Sequence, residues 1–537
     1  MSALAVRSLA VAVALGAAAA LFAQTRDYGL LGFDTYPLIA SARVAGPADL
    51  AHLASEPLMG GRYPSPMYRP LVSALFAAEY ALFGLEPRGY QGVGAAAFAC
   101  VLLALAAMGG ALARRASEVS ALRALPVLLP LCFALSPSYI EIVPVPARVG
   151  DLLCAAFCAA AVAAALHGRA WLAAAACAGA ILSKETGFAA PVLVAAALAL
   201  APARPPASRL RAALESIPSF SVAAVLLGVR IAVLGGVGGH RADLSVVAAI
   251  ARAPAMAFAL ARDVVLAPAA QGAAAWSLAL GGGALALAAA LVAARSRRAV
   301  RADGVRVAVF GGLWIAVLAL TYASGGWIGA WYRMIPAVGA SLVASGLACA
   351  ALDVALARSR ADEGSRAEEG SGGGVGSVAA DGSGVERDAR PEAGVRAAGA
   401  LRMAAALALA ALAGALALQA QQSPLVRRYS EWERATDVAR EFLGELDSRV
   451  RASADGRVVD APPLPMWAAP RPGDDGVLGA AILSDYSVQA WADLAHGERR
   501  IRVGGIDGGV LPPVDGASGA PRPDELVVRL PRRRVGY

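Results

Sequence analysis

The sequence predicts an all-α polytopic membrane domain of about eleven transmembrane helices, followed by a small C-terminal extracytoplasmic α+β domain. Three observations lead there. Hydrophobic residues make up 58% of the 537 and charged residues 16%, with a mean hydropathy of +0.58. Soluble domains average about 45–50% apolar and about 25% charged, so a soluble globular enzyme is excluded. Disorder over most of the length is excluded by the same apolar content. Apolar runs long enough to cross a hydrocarbon core, about 17–25 residues, recur from residue 8 to residue 419. The last 118 residues, 420–537, return to a mixed composition.

The spans fall at 8–23, 92–113, 121–137, 151–167, 170–184, 187–203, 218–235, 276–294, 307–322, 336–357 and 399–419. With the N-terminus inside, the arginines sort onto the cytoplasmic connections, as Arg7, then Arg114, Arg115 and Arg123, then Arg169, then Arg204, Arg209 and Arg211, then Arg295 to Arg306. That is the positive-inside pattern. It accounts for the net charge of +8 without nucleic acid, since the arginines form no stripe interleaved with aromatics. The first run, with Arg7 before it and Ala23 after, also fits a cleaved signal peptide loosely. The six cysteines lie in apolar runs and read as small buried hydrophobes.

Three regions complete the organisation. Residues 1–357 form the membrane domain, with a long first extracytoplasmic loop at 24–91. Residues 358–398, rich in Gly, Ser, Ala, Glu and Arg, read as a flexible cytoplasmic linker before the last span. The tail 420–537 opens with an amphipathic helix near 427–447, continues with a helical stretch around Ser487–Leu494, and offers strands at 501–503 and 525–530.

Charge at the centre of a spanning helix is disfavoured by about 2.5–3.5 kcal/mol, so polar residues at membrane depth are functional candidates. They fall on the extracytoplasmic side. The first loop opens with Gly32-Phe33-Asp34-Thr35-Tyr36, a carboxylate beside the membrane that can act as a base, hold a metal, or simply be solvated. It continues with Tyr68-Arg69-Pro70-Leu71 and then Phe76, Tyr80, Leu82 and Phe83 interleaved with Glu79 and Glu86, the pattern of a helix lying in the interface. The turn after the third span holds Glu141, Arg148 and Asp151 among Pro137, Pro144 and Pro146. Irregular backbone at this depth is tolerated where it lines a cavity, although an ion pair of Arg148 with Asp151 or Glu141 explains the same residues. The turn after the fifth span contains Lys184, the single lysine of the chain, and Glu185; snorkelling is the plainer reading of that lysine. Between spans nine and ten stand Trp327 and then Trp331-Tyr332-Arg333, where aromatics belong at an interface in any case. Arg69, Arg148, Lys184 and Arg333 on one side make a cradle for phosphate or pyrophosphate, with Asp34 and Glu141 supplying acid-base capacity. No nucleotide loop, zinc cluster or Ser-His-Asp order is visible.

Tyr68-Arg69-Pro70-Leu71 with Tyr80 to Leu85 and Gly89-Tyr90, then Pro137, Glu141, Arg148 and Asp151-Leu152-Leu153, then Ser183-Lys184-Glu185-Thr186, then Tyr332-Arg333 to Pro336 resemble the ordered signatures of GT-C-fold membrane O-mannosyltransferases. In animals that family carries transmembrane segments plus tetratricopeptide repeats; this chain has no such repeats. The resemblance covers about 30–355 in pieces. It implies a glycosyltransferase of the cytoplasmic (inner) membrane that takes a mannose-like sugar from a polyprenyl-phosphate donor and passes it to an extracytoplasmic glycan, lipid or protein. It implies Asp34 and Glu141 as the acidic catalytic positions and Arg148, Lys184 and Arg333, with Arg69, as donor-phosphate contacts. Tyr68, Asp151, Glu185 and Tyr332 support them, and a divalent metal at Asp34 is possible within the family. Here Asp34 is followed by Thr35 where the family often has an acidic pair, and Ser136 and Tyr139 stand where it has two histidines. Two rival functions fit a polytopic protein with charged turns: a transporter or lipid flippase, and a non-catalytic assembly factor whose tail binds a partner.

Overall fold

A computed structural model describes residues 2–530 except 45, 62, 64, 117–119, 201–208, 239–245, 266–271, 296–302, 324–329, 357–389, 454–456, 466, 469–479, 498–500 and 505–525. The chain begins with α1 (Ala3–Thr25), capped where the Ser2 hydroxyl accepts from the Ala5 amide at 3.2 Å. The first loop is built from α2 (Thr35–Ser41), α3 (Pro47–Ser55) and α4 (Pro70–Phe83). The bundle continues through α5 (Pro87–Ala113), α6 (Leu125–Ala134), α7 (Val149–Leu166), α8 (Ala170–Ser183) and α9 (Ala190–Leu200). It closes with α10 (Arg209–Leu234), α11 (Val246–Val265), α12 (Ala273–Arg295), α13 (Asp303–Ala323), α14 (Met334–Leu356) and α15 (Arg390–Ala420). Proline opens α4 and α5 and lies in the first turn of α6, where its missing amide costs nothing.

Among the described residues seven helices are long and apolar enough to cross a membrane: Leu4–Thr25, Pro87–Ala113, Pro146–Leu166, Ala213–Leu234, Asp303–Ala323, Trp331–Leu356 and Gly399–Ala420. That fits a multi-pass membrane protein. The other four expected spans, at 121–137, 170–184, 187–203 and 276–294, coincide with apolar helices of 10–17 residues. In the first of these, proline at 126 and 130 and the turn begun by Pro137 cut the regular helix to ten residues.

The two ends of the bundle differ in chemistry. At one end α5, α7 and α14 finish and the turn before α6 begins. There Arg115 donates to the Leu166 carbonyl at 3.0 Å, and Asp353 of α14 accepts from Ser120 Oγ at 2.9 Å and the Ala121 amide at 2.7 Å. A carboxylate at these free amides is favourable on electrostatic grounds. Arg114, Arg115 and Arg169 gather at this end, while the first loop and the candidate site occupy the other.

Four expectations are corrected. Residues 246–265, which fall in none of the expected spans, form α11, an amphipathic helix whose Arg252, Arg262 and Asp263 dilute its hydropathy while Leu260 and Val264 are buried. Glu79, placed on a wet stripe of the interfacial helix, is buried at 3% exposure, because α4 packs against the rest of the first loop and α8 on that side. Cys100 is exposed on α5 and Cys132 half-buried, whereas Cys154, Cys158, Cys177 and Cys349 are buried. Most of the linker 358–398 lies outside the described residues, but its last part, from Arg390, already belongs to α15.

The tail contains α16 (Ser430–Ala452), a parallel sheet in the order β1 (Val458–Asp460), β5 (Leu526–Arg529), β4 (Ile501–Gly504), an antiparallel pair β2 (Trp467–Ala468) and β3 (Ala480–Ala481), and α17 (Asp485–Ala495). α16 buries Trp432, Ala435, Ala439, Phe442 and Leu446, the residues whose helical spacing marks it in the sequence. These share one apolar core with Leu30, Leu31 and Ile39 of the first loop, with Val488 of α17, and with Phe98 and Phe133 of the bundle. Tail, loop and bundle are therefore one packed body. A smaller core of Ala286, Ala289, Ala351, Val354, Ala405 and Ala408 joins α12, α14 and α15.

Gly32 is the pivot of the loop. Its φ of +95° excludes a side chain, and a Cβ there would collide with Val145 Cγ1. We expect Gly32→Ala to lower stability by about 1–3 kcal/mol, read as an earlier thermal midpoint of the full chain in detergent; an unchanged midpoint would contradict this placement.

Candidate functional site

Six segments deliver ionised side chains to one end of the bundle. The Asp34 backbone begins α2, and the neighbouring Thr35 hydroxyl donates to the Leu31 carbonyl at 2.5 Å while accepting from the Ala147 amide at 3.4 Å. That tie brings the first loop onto the turn before α7. Arg148 Nη1 donates to the Glu141 carbonyl at 2.5 Å and to Glu141 Oε2 at 3.4 Å, and its guanidinium lies 4.5 Å from the Trp331 ring centroid. Such stacking of a cation on an aromatic face is favourable by about 0.5–2 kcal/mol.

Below this turn α7 and the α8–α9 turn meet closely because residue 150 is glycine; a Cβ there would come within 2.9 Å of the Ser183 carbonyl. The approach sets Lys184 Nζ 2.5 Å from Asp151 Oδ1, both side chains at most 5% exposed, with the Tyr332 ring 5.2 Å away. The next residue, Glu185, receives two guanidinium groups: Arg69 Nη2 at 2.7 Å with Arg69 Nε at 3.1 Å, and Arg230 Nη1 at 3.3 Å. Arg230 also donates from Nε to the Val237 carbonyl at 2.8 Å. Finally, Arg333 pairs with Asp263 of α11 at 3.2 Å.

These pairs are neighbours of one another. Arg148 lies within electrostatic reach of Asp34, Glu141 and Asp151, and Arg69 within reach of Asp151 and Tyr332 besides Glu185. Asp34, Glu141, Arg69, Arg148, Lys184, Arg333, Asp151, Glu185 and Tyr332, all singled out in the sequence, thus come together. Tyr68 does not: its hydroxyl donates to the Ala54 carbonyl at 2.7 Å and braces the loop. Snorkelling of Lys184 is excluded by its burial against Asp151. Trp327 lies outside the described residues.

Four participants escaped the sequence reading. Arg230 sits inside an apolar span, so the rule that intramembrane charge marks function would have found it. Asp263 was lost with the helix that carries it. Trp331 was noted only as an interface aromatic, yet it is the platform for Arg148. Tyr486 lies 452 residues from Asp34, donates its hydroxyl to Asp34 Oδ1 at 3.0 Å, and left no local signal. Beside it Ser487 donates to the Phe33 carbonyl and the Gly32 amide donates to the Ile482 carbonyl at 3.0 Å, so the tail segment 482–487 holds the loop at Asp34 and at the two residues before it.

Burial sets the proton affinities here. Burial pushes the Glu141 carboxyl up, against the opposing pull of Arg148 and Arg333. Glu185 is also pushed up by burial, but Arg69 and then Arg230 outweigh it and hold the carboxyl down at about 2. Burial, then the adjacent Asp34 carboxylate, keeps the Tyr486 hydroxyl protonated far above its usual range, so it acts as a donor.

Asp34 is a poor fit for a divalent metal. A hard cation takes about six or more oxygen ligands, while one oxygen of Asp34 accepts from Tyr486 and the nearby Glu141 and Asp151 are held by Arg148 and Lys184. Among the described residues no group of three or more His, Cys, Asp or Glu side chains is arranged to hold a metal. Comparison with known proteins yields no match: no family model, no curated protein and no solved structure aligns with this chain.

Removing the Glu185 charge strands two guanidinium groups, a loss of about 3–5 kcal/mol for a buried pair. We expect Glu185→Gln to unfold earlier in detergent. Because the folded carboxyl is held below the ordinary value of about 4.3, its stabilisation is present above that value and disappears as pH falls toward about 2. The wild-type thermal midpoint should therefore fall more steeply than that of the variant between about pH 5 and pH 2; parallel slopes would contradict the assignment.

Proposed function

We propose that the chain is a membrane glycosyltransferase of the GT-C type that moves a mannose-like hexose from a polyprenyl-phosphate donor to an acceptor on the extracytoplasmic face of a bacterial cytoplasmic membrane. One observation carries the reading: Asp34 and a cluster of partly buried cations, drawn from segments far apart in sequence, meet at helix ends beside the first loop. The resemblance of the same four segments to O-mannosyltransferases supplies the chemistry.

In this mechanism an acceptor hydroxyl attacks the anomeric carbon, the bond from that carbon to the phosphate oxygen breaks, and the polyprenyl phosphate leaves with the electron pair on that oxygen. Asp34 Oδ2 takes the hydroxyl proton while Tyr486 fixes Oδ1. The configuration inverts, since a single displacement is involved. Phosphate charge is met by Arg148, whose bonds to Glu141 leave from Nη1, and by Arg333, whose buried Nε has no hydrogen-bond partner among the described residues. Arg69 and Lys184 are already paired with Glu185 and Asp151, so they hold the frame and contribute field more than direct bonds.

The rivals gain less. A transporter or flippase is expected to carry its ionised residues near mid-depth in broken helices, whereas these stand at helix ends. The tail that an assembly factor would offer to a partner is packed against the first loop.

Transfer from a radiolabelled polyprenyl-phosphate sugar in membranes tests the reading. Asp34→Asn should lower the rate by about 10²–10⁴-fold, and Tyr486→Phe by about tenfold, the loss of one charge-assisted hydrogen bond. Unchanged transfer in Asp34→Asn removes that residue from the mechanism, and no transfer by the wild type with any such donor removes the function.

A further inference from the structure

Between the first loop and the tail, and separate from the ion-pair cluster, lies an open cleft of about 820 Å³. Its walls come from four places: residues 26–30 and Tyr36 of the first loop, Leu85 to Arg88 at the corner between α4 and α5, the Thr436–Arg451 side of α16, and Trp491 with Ala495 of α17. Tyr36 is two residues beyond Asp34. Trp491 is five residues, about 7.5 Å of helix, beyond the Tyr486 that bonds Asp34. The lining is therefore carried in part by the same two short helices that bear Asp34 and Tyr486, two and five residues further along them.

We infer that this cleft binds a neutral, hydroxyl-rich glycan, the acceptor of the reaction. The inference deepens the transferase reading and rests on it for its purpose, though not for the binding itself. The lining has three properties that suit such a ligand. Its volume falls within the range of about 300–1,000 Å³ typical of small-ligand sites. It carries charges of both signs, Arg26, Arg88, Arg440 and Arg451 against Asp27, Glu86 and Asp447, largely in mutual pairs: Arg88 to Asp27 at 3.2 Å, Arg26 to Asp27 at 3.5 Å, Arg451 to Asp447 at 2.8 Å. Paired carboxylates and guanidinium groups offer acceptors and planar donors to vicinal hydroxyls while leaving little net field to draw a polyanion. Between them Tyr28, Tyr36, Leu30, Leu443 and Trp491 provide apolar edges for the C–H faces of a pyranose.

A peptide fits less well. Extended peptides gain their affinity by adding a strand to a sheet edge, and the lining of this cleft comes from helices and loops. An anionic lipid headgroup is the other candidate, since α1 ends and α5 begins beside the cleft; the paired state of its arginines argues against it.

Binding is read on the full chain in lipid nanodiscs by fluorescence anisotropy with tagged neutral tetrasaccharides of mannose and of glucose, without donor. Arg88 and Arg440 are about 68% and 69% exposed at the side chain, so Arg88→Ala/Arg440→Ala should fold normally. We expect saturable binding of a tetrasaccharide, at least fivefold weaker in the double variant. Absence of binding at millimolar glycan, binding indifferent to the double variant, or displacement by glycerophosphoglycerol or an acidic peptide but not by free oligosaccharide would each overturn the inference. Glycan binding with no sugar transfer by the wild type would sink the transferase reading and leave the cleft assignment standing.

Discussion

The architecture depends on one electrostatic constraint. An ion taken out of water loses several kcal/mol of solvation, and attraction to a counter-ion restores it only when geometry is good and remaining polar atoms are satisfied. Here the loss is met, Arg148 with Glu141 excepted, by pairing across segments rather than within them. Lys184 finds Asp151 on α7, Glu185 binds arginines from the first loop and from α10, and Arg333 reaches Asp263 on α11. Each pair therefore fixes a helix end relative to another, and small residues at the crossing points, Gly150 above all, let the backbones approach near enough for the pairs to close.

The same constraint explains the position of the tail. Asp34 heads a seven-residue helix that cannot fix itself by local hydrogen bonding. Its geometry is supplied from outside, by Thr35 on the bundle side and by Ile482, Tyr486 and Ser487 on the tail side. A segment that looks like an appended domain is thus part of the wall around the carboxylate, and the cleft exists only because loop and tail face each other.

Much of this was legible in the sequence, for physical reasons that can be named. Membrane helices announce themselves by apolar length, and charges at their ends stand out against 58% hydrophobic composition, so Lys184, Arg148 and Arg333 were conspicuous. α16 was readable from the spacing of Trp432, Ala435, Ala439, Phe442 and Leu446. What stayed hidden depends on long-range packing. α11 has two arginines and an aspartate within an amphipathic stretch that falls between the signatures of a span and a loop. Which carboxylate meets which cation was undetermined, so Arg148 was as compatible with Asp151 as with the Glu141 it chose. The hydroxyl of Tyr486 is one of twelve tyrosines, and nothing local marks it as the partner of Asp34.

The central claim, that these turns share one end of the bundle while the arginine-rich connections occupy the other, is open to direct mapping. Single cysteines at positions 27, 86, 114, 169 and 440 in a cysteine-free background can be labelled with a membrane-impermeant maleimide in sealed vesicles of known orientation. The account predicts that 27, 86 and 440 label from one side and 114 and 169 only from the other; labelling that divides 27, 86 and 440 between the two sides would contradict it.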